Sequence, residues 1–328
     1  MMLSTKNKPV GGEQELGNDG HFYGLTNSGR SSLRWTVRSM CLQGKKVLLP
    51  DFVCQVVIDV LLEFDINIIF YEVKDNLVFN LPKYLQDVSA IYLVKYFGHE
   101  SVSFKDAIDS SETPLIIDDV FGIEPPKVIA NVHWCYFNSL RKITPISGFS
   151  QLISNKPLAQ LRKNQLLEFS DFKYQAKDKK YHFLQSSIGT EDDYLSLLSS
   201  AEDLLNSCLG INEPDDKSTF LACQLYRNQL HEYGIRKQNF FTAKEQLLEG
   251  QYIDINPDFP TFLPLLLVNR DKVKRELMRY SIFLAVHWPK TTGPHSVLSE
   301  SILSLPLDSR YTPIEIKRIC TLIKRLDV

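Results

Sequence analysis

What this chain lacks narrows it first. Its 328 residues carry 37 Lys and Arg against 39 Asp and Glu, a formal net charge of -2. No basic field covers the molecule, which argues against nucleic acid as the main partner. The six cysteines (Cys41, Cys54, Cys135, Cys208, Cys223 and Cys320) are scattered, with no C-x-x-C pair and no histidines at metal-ligand spacing. A disulfide framework and a structural zinc site are therefore not expected, and a reducing cytoplasm fits best. The longest apolar run, Phe262-Leu-Pro-Leu-Leu-Leu-Val268, falls far short of the roughly 20 residues that span a bilayer. The stretch 1–20 is polar and has no apolar core of a signal peptide. Neither G-x-x-x-x-G-K-[ST] nor G-x-G-x-x-G occurs, which removes the commonest nucleotide cradles. Internal repeats and low-complexity tracts are also missing. The expectation is a soluble cytoplasmic protein without membrane insertion.

What is present is alternation. Short β-rich runs stand at 46–50, 66–73, 90–97, 115–117 and 133–137, separated by the helical patterns 31–42 and 54–64. Their near-continuous apolar character suits strands covered on both faces. This predicts an α/β fold with a mostly parallel sheet between helices. After about residue 155 the pattern turns helical, at 158–169, 192–209 and a long 218–250 with Ser218 at its start. Strands are expected again at 262–268 and 282–286, with helices at 272–280 and 313–325. That reads as a large domain, 1–210, and a smaller C-terminal α+β domain, 211–328, which includes the long connecting helix.

Three pieces carry chemistry. Thr26-Asn-Ser28-Gly29-Arg30-Ser31-Ser32 opens a helix, where free backbone N–H groups favour an anion. Taken alone it is an ordinary helix cap. Leu115-Ile-Ile-Asp118-Asp119 ends a strand in two carboxylates, at the sheet edge where open α/β folds bind ligands; one of them is expected to face solvent or cap a turn. Ser139-Leu-Arg141-Lys142 follows the next strand, and Thr144-Pro-Ile-Ser-Gly148 forms a turn behind it. Isolated basic pairs of this kind are usually surface groups. Phosphate cradle, acid and lysine in this order are the parts of a pyridoxal-phosphate enzyme.

With these segments the sequence resembles the DegT/StrS group of nucleotide-sugar aminotransferases, fold-type-I pyridoxal 5'-phosphate enzymes. Val47-Leu-Leu-Pro-Asp-Phe-Val-Cys54, Leu93-Val-Lys-Tyr-Phe-Gly98, Arg236-Lys-Gln-Asn-Phe240 and Ala285-Val-His-Trp-Pro289 extend the likeness through most of the chain. The resemblance implies Lys142 as the Schiff-base lysine and Asp119 as the acid paired with the pyridine nitrogen. It implies Ser28, Gly29, Arg30, Ser31 and Ser139 around the phosphate, and Phe52 or Phe97 against the ring. It also implies a homodimer whose sites are completed across the two-fold axis, through Asn239 or Arg236. Substrates would be an amino acid, glutamate first, and a keto sugar on a nucleotide, for surface polysaccharide or related amino-sugar synthesis. The chain departs from the family where Val120-Phe-Gly122 follows the acid in place of two small residues and Gln or His. It departs again at Gly148-Phe149, where Gly-Gly is usual, and at Arg30, where a small hydroxyl residue is common. Those departures keep a catalytically inactive family member, with a binding or scaffold role, as the alternative. A metal-dependent glycosyl-transfer protein would want D-x-D at a strand end, and only the adjacent pair at Asp118 stands there.

Overall fold

The computed structural model describes residues 19–82, 87–294 and 296–327; the polar amino-terminal stretch to residue 18 lies outside the described residues. The chain begins with β1 (Phe22–Thr26) and α1 (Gly29–Ser39), then runs β2 (Lys46–Pro50), α2 (Gln55–Leu62), β3 (Asn67–Tyr71) and β4 (Val88–Val94). It continues through α3 (Val102–Ser110), β5 (Leu115–Asp119), β6 (Trp134–Asn138) and β7 (Ser150–Ser154). These strands form one seven-stranded sheet in the order β1-β7-β6-β5-β4-β2-β3. The pairs from β3 through β6 are all parallel, and β7 is antiparallel to both β6 and β1. Every residue of β5 and β6 is buried, as strands covered on both faces require.

Two strands of this sheet escaped the reading of the sequence. β1 carries an exposed-exposed-buried-exposed-buried pattern with a glycine at its centre, where a Cβ on Gly24 would lie 2.5 Å from the Trp35 ring. β7, Ser-Gln-Leu-Ile-Ser, hides its β character behind polar ends whose hydroxyls are buried and bonded, Ser150 Oγ with Ser32 Oγ at 2.8 Å.

Beyond the sheet, β8 (Asn164–Gln165) precedes the helical hairpin α4 (Leu167–Ser186) and α5 (Glu191–Ser207), and β9 (Asn212–Glu213) closes it. The expected helix at 158–169 does not form before Leu167, where α4 begins. β8 pairs with β9, and the Asn27 N–H donates to the Asn212 carbonyl at 2.8 Å, which pins the hairpin's base to the entry of α1. Phe169, Ala201 and Leu205 give the hairpin a small core of its own. The 31-residue α6 (Asp216–Gln246) follows, about 46 Å long at 1.5 Å per residue. Its cap is Asp215, not Ser218; the Asp215 carboxylate accepts from the Ser218 N–H at 2.8 Å.

The last section is β10 (Phe262–Leu266), α7 (Arg270–Arg279), α8 (Leu298–Ser301), β11 (Ile302–Pro306) and α9 (Pro313–Leu326). β10 pairs antiparallel with β11, and the strand expected at 282–286 is reduced to a single bridge, Ala285 with Ser304. Its core is continuous with that of the main sheet. The join is aromatic: Trp288 packs within 5.5 Å, centroid to centroid, of Phe52, Tyr96, Phe97 and Phe121. No helix among the described residues is long and apolar enough to cross a membrane.

Candidate functional site

A cavity of about 220 Å³ opens at the carboxyl ends of the parallel strands. Its walls come from the first turn of α1 (Gly29, Arg30), the start of α2 (Cys54, Val56, Val57) and the strand ends at Tyr92, Asp118 and Phe137. The loop after β6 (Ser139, Arg141, Lys142), Glu202 on α5, and His287 with Trp288 complete it. Open α/β sheets bind ligands at this edge because helix N-termini and strand ends converge there.

Strand parity selects the acid. Asp118 sits opposite Val94 on β4 and Phe137 on β6, so it shares a face with Tyr92 and Phe137, and all three meet the cavity. Asp119 sits opposite Asn138 and points to the other face of the sheet. The acid expected at the site, Asp119, is therefore not on its wall, and Asp118 is. Tyr92 Oη donates to Asp118 Oδ2 at 2.6 Å, while buried Asp118 Oδ1 has no hydrogen-bond partner. Burial raises the Asp118 pKa to about 6, against the Tyr92 hydrogen bond, the Val120 N–H and the charge of Lys142.

Lys142 faces the same space. Its surface is accessible, but that access opens into a recess walled by protein, and burial with the neighbouring Arg141 brings its pKa down to about 8. Its amine makes no hydrogen bond or ion pair among the described residues. His287 reaches in from the C-terminal section, with Nδ1 2.8 Å from Ser304 Oγ. Burial, and then the charge of Lys142, push it down to about 3, so the imidazole is neutral.

At the other end of the cavity the groups are cationic. Arg30 Nη2 lies 3.3 Å from Glu202 Oε2; Arg141 Nη1 and Lys173 Nζ lie 3.1 and 2.7 Å from Glu202 Oε1. Burial alone would raise the Glu202 pKa, but Arg141, Lys173 and Arg30 overcome it and hold it at about 2.

Of the residues expected from sequence, Gly29, Arg30, Ser139 and Lys142 line the cavity together. Ser28 and Ser31 do not: both hydroxyls donate to Asn27 Oδ1, at 2.9 and 3.0 Å, and serve to build the entry of α1. Phe52 is buried in the aromatic join, stacked on Tyr96 at 5.1 Å, and Phe97 stacks on Phe121 at 5.9 Å, so neither expected ring partner reaches the wall. Asn239 is consumed in the α6–α9 junction, donating to the Leu307 and Tyr311 carbonyls at 3.0 and 2.8 Å. Arg236 donates to the Ile143 carbonyl at 3.2 Å and so braces the loop that carries Lys142. Tyr92, Phe137, Arg141, Glu202 and Trp288 were missed. For Tyr92 and Phe137 the signal was available, since both share the parity of Asp118 on neighbouring strands. Glu202 has no local signal, lying 60 residues from Lys142 on a helix of ordinary composition.

No family model matches the sequence, and no curated protein sequence does either. Solved structures do. A DegT DnrJ EryC1 StrS aminotransferase from Brucella abortus superposes with a TM-score of 0.64 at 16% identity, over 93% of this chain and 86% of that one. Helicobacter pylori PseC, an aminotransferase involved in the biosynthesis of pseudoaminic acid, gives 0.64 at 14% over 93% and 86%. DesI, solved in the presence of its TDP-sugar product, gives 0.62 at 11% over 92% and 80%. This chain has the fold of the DegT/StrS-type aminotransferases.

Proposed function

We propose that the protein is a pyridoxal-phosphate-dependent aminotransferase of the DegT/StrS family that moves an amino group from an amino acid to a keto sugar carried on a nucleotide. The observation that carries this reading is one cavity in which an unpartnered amine of lowered pKa, Lys142, shares the wall with a buried carboxylate oxygen that lacks a donor, Asp118 Oδ1. A buried carboxylate oxygen without a donor, facing the same cavity as an unpartnered amine, points to a ligand. The wall fits the cofactor: Asp118 for a protonated ring nitrogen, apolar Phe137 and Val120 beside it, and Ser139, Arg30 and the first turn of α1 for a phosphate. When bound, pyridoxal phosphate supplies the electron sink for a carbanion at the donor's α-carbon.

The chain's own groups divide the remaining work. With a pKa near 8, a useful fraction of Lys142 is neutral at physiological pH, able to act as nucleophile and to take and return a proton at Nζ. Asp118, ionised above pH 6, would hold a positive ring nitrogen, and Tyr92 fixes the carboxylate's orientation. His287 and Trp288 cover the cavity from the C-terminal side. At about 220 Å³ the cavity is smaller than the roughly 300–1,000 Å³ of pockets that enclose drug-sized ligands, so a nucleotide would lie outside it.

Glutamate as donor, a role in surface polysaccharide or amino-sugar synthesis, a cytoplasmic site, a symmetric homodimer and a domain boundary near residue 210 belong to the same proposal. A binding or scaffold role without turnover is the second reading, favoured by the Glu202 carboxylate seated among the cations. Incubation with pyridoxal phosphate should turn the protein yellow, and borohydride should then fix the label on Lys142. A label on another lysine, or none, ends the first reading.

A further inference from the structure

The cationic end of the cavity is over-supplied. Arg30, Arg141 and Lys173 meet a single carboxylate, Glu202, which leaves two positive charges in excess. Arg30 Nη1 and Arg141 Nε are buried and have no hydrogen-bond partner. Lys177 on α4, its Nζ held 2.8 Å from the Ile146 carbonyl, feels the same field: burial and then the charges of Lys173 and Arg141 lower its pKa to about 7. Guanidinium groups are forks matched to phosphate or carboxylate oxygens, and a monovalent carboxylate cannot fill two of them and an ammonium.

The occupant is also detachable in principle. Among the described residues, Glu202 is the one α5 side chain that hydrogen bonds outside the α4–α5 hairpin, and the hairpin packs around a satellite core of its own. Its contacts to Arg30 and Arg141, at 3.3 and 3.1 Å, are longer than the 2.7–2.9 Å of good charge-assisted bonds.

We propose that Arg30, Arg141 and Lys173 form a site for a phosphate-type anion, that Glu202 is its resting occupant, and that an incoming phosphate displaces Glu202 and loosens α5 from the cavity. The displacement is an ion exchange: one carboxylate leaves the cations for water as phosphoryl oxygens take its place. The inference rests on the aminotransferase reading only for the source of the phosphate, which is either the cofactor's monoester or the diphosphate of a nucleotide. It also gives the charge excess a purpose, since a dianion neutralises what Glu202 leaves over.

The test uses the full chain and inorganic phosphate as the probe. Calorimetry should show Glu202→Gln binding phosphate roughly tenfold or more tighter than the wild type, because the competing anion is gone, and Arg141→Gln binding it more weakly. Hydrogen exchange on the wild type, which needs no variant, should speed up in α5 at saturating phosphate while the entry of α1 slows. Equal or weaker phosphate binding by Glu202→Gln overturns the proposal, as does an α5 that does not respond. Pyridoxal phosphate against pyridoxal, and UDP against uridine, then assign the source: the pair whose phosphate-bearing member gains affinity in Glu202→Gln identifies it. If the aminotransferase reading fails, Lys142 stays unlabelled while inorganic phosphate still binds and α5 still responds.

Discussion

Asp118 and Asp119 are neighbours on β5 with opposite surroundings. Both are buried, and burial raises both, to about 6 and about 7. On the cavity face Asp118 Oδ2 accepts from Tyr92, and Oδ1 is left open. On the other face neither Asp119 oxygen is hydrogen bonded, and Lys95 Nζ stands 3.8 Å away. Lys95 is 2% exposed and divides its charge, reaching Asp258 at 2.6 Å and Glu100 at 3.2 Å. These carboxylates outweigh burial and keep Lys95 charged, while Asp119, sharing that cation without a hydrogen bond, takes a proton more readily than a free aspartate. The first face is an incomplete arrangement that a ligand would finish. The second is an ionic joint between the loop after β4 and the loop before β10, which Asp119 meets through the charge of Lys95 alone. Close packing makes this visible at Gly122, where a Cβ would lie 1.9 Å from the Asp119 carboxylate.

Each face has its own lysine, so the sharpest break of the comparison is to remove them in turn. Lys142→Ala should reduce aminotransfer by about a thousandfold or more, as expected when the nucleophile and proton carrier is lost, and leave stability nearly unchanged. Lys95→Met should do the reverse, lowering stability by about 1–3 kcal/mol through the unpaired buried carboxylate while turnover of the folded protein changes little. Denaturant titration and steady-state assays read both. A turnover loss at Lys95 equal to that at Lys142 would erase the distinction between the faces.

The acids come next. Asp118→Asn should lower turnover about a hundredfold, corresponding to about 3 kcal/mol at the transition state. Asp119→Asn should stay within about tenfold of the wild type. Comparable losses would mean that strand parity does not choose the acid.

How far the sequence leads is decided by the same parity. The apolar runs at β2 and at β4 to β6 are legible because strands buried on both faces need no alternation. The antiparallel strands β1 and β7 are not, because glycine and serine stand where apolar residues would signal a strand. In the site, Gly29, Arg30, Ser139 and Lys142 are reached through motifs whose spacing is local. An Asp-Asp pair at a strand end cannot be resolved this way, since a shift of one residue moves a side chain to the other face and only the register with β4 and β6 decides it. Glu202 is invisible for a different reason: its meaning comes from tertiary packing of α5 against residues far away in the chain.

Acid stability tests the two carboxylates together. A carboxyl group whose pKa is higher folded than unfolded binds more protons in the native state between the two values. Stability therefore falls as pH rises from about 4 through the folded pKa, and is flat above it. Asp119→Asn should remove a slope running up to about pH 7, and Asp118→Asn a slope ending near pH 6. Each slope amounts to a few kcal/mol in total. The slope is the readout, because an asparagine carries its own unsatisfied amide. Variants with the wild-type slope would show that neither carboxyl is raised.

The smallest effect sharpens the comparison furthest, because it uses one chemical change on both faces. Tyr92 and Tyr136 are both buried, on opposite faces of the sheet, in the two strands that flank β5. Tyr92 Oη is the donor to Asp118, whereas Tyr136 Oη is buried without a partner. Tyr92→Phe leaves a buried carboxylate oxygen without its donor. It should cost about 1–2 kcal/mol of stability and raise the Asp118 pKa further. The acidic limb of the pH–rate profile should then move upward. Tyr136→Phe removes a hydroxyl that was desolvated for no return, so it should be neutral or stabilising by up to about 1 kcal/mol, with the pH–rate profile unmoved. A shifted profile in Tyr136→Phe, or an unshifted one in Tyr92→Phe, would place the working acid on the wrong side of the sheet.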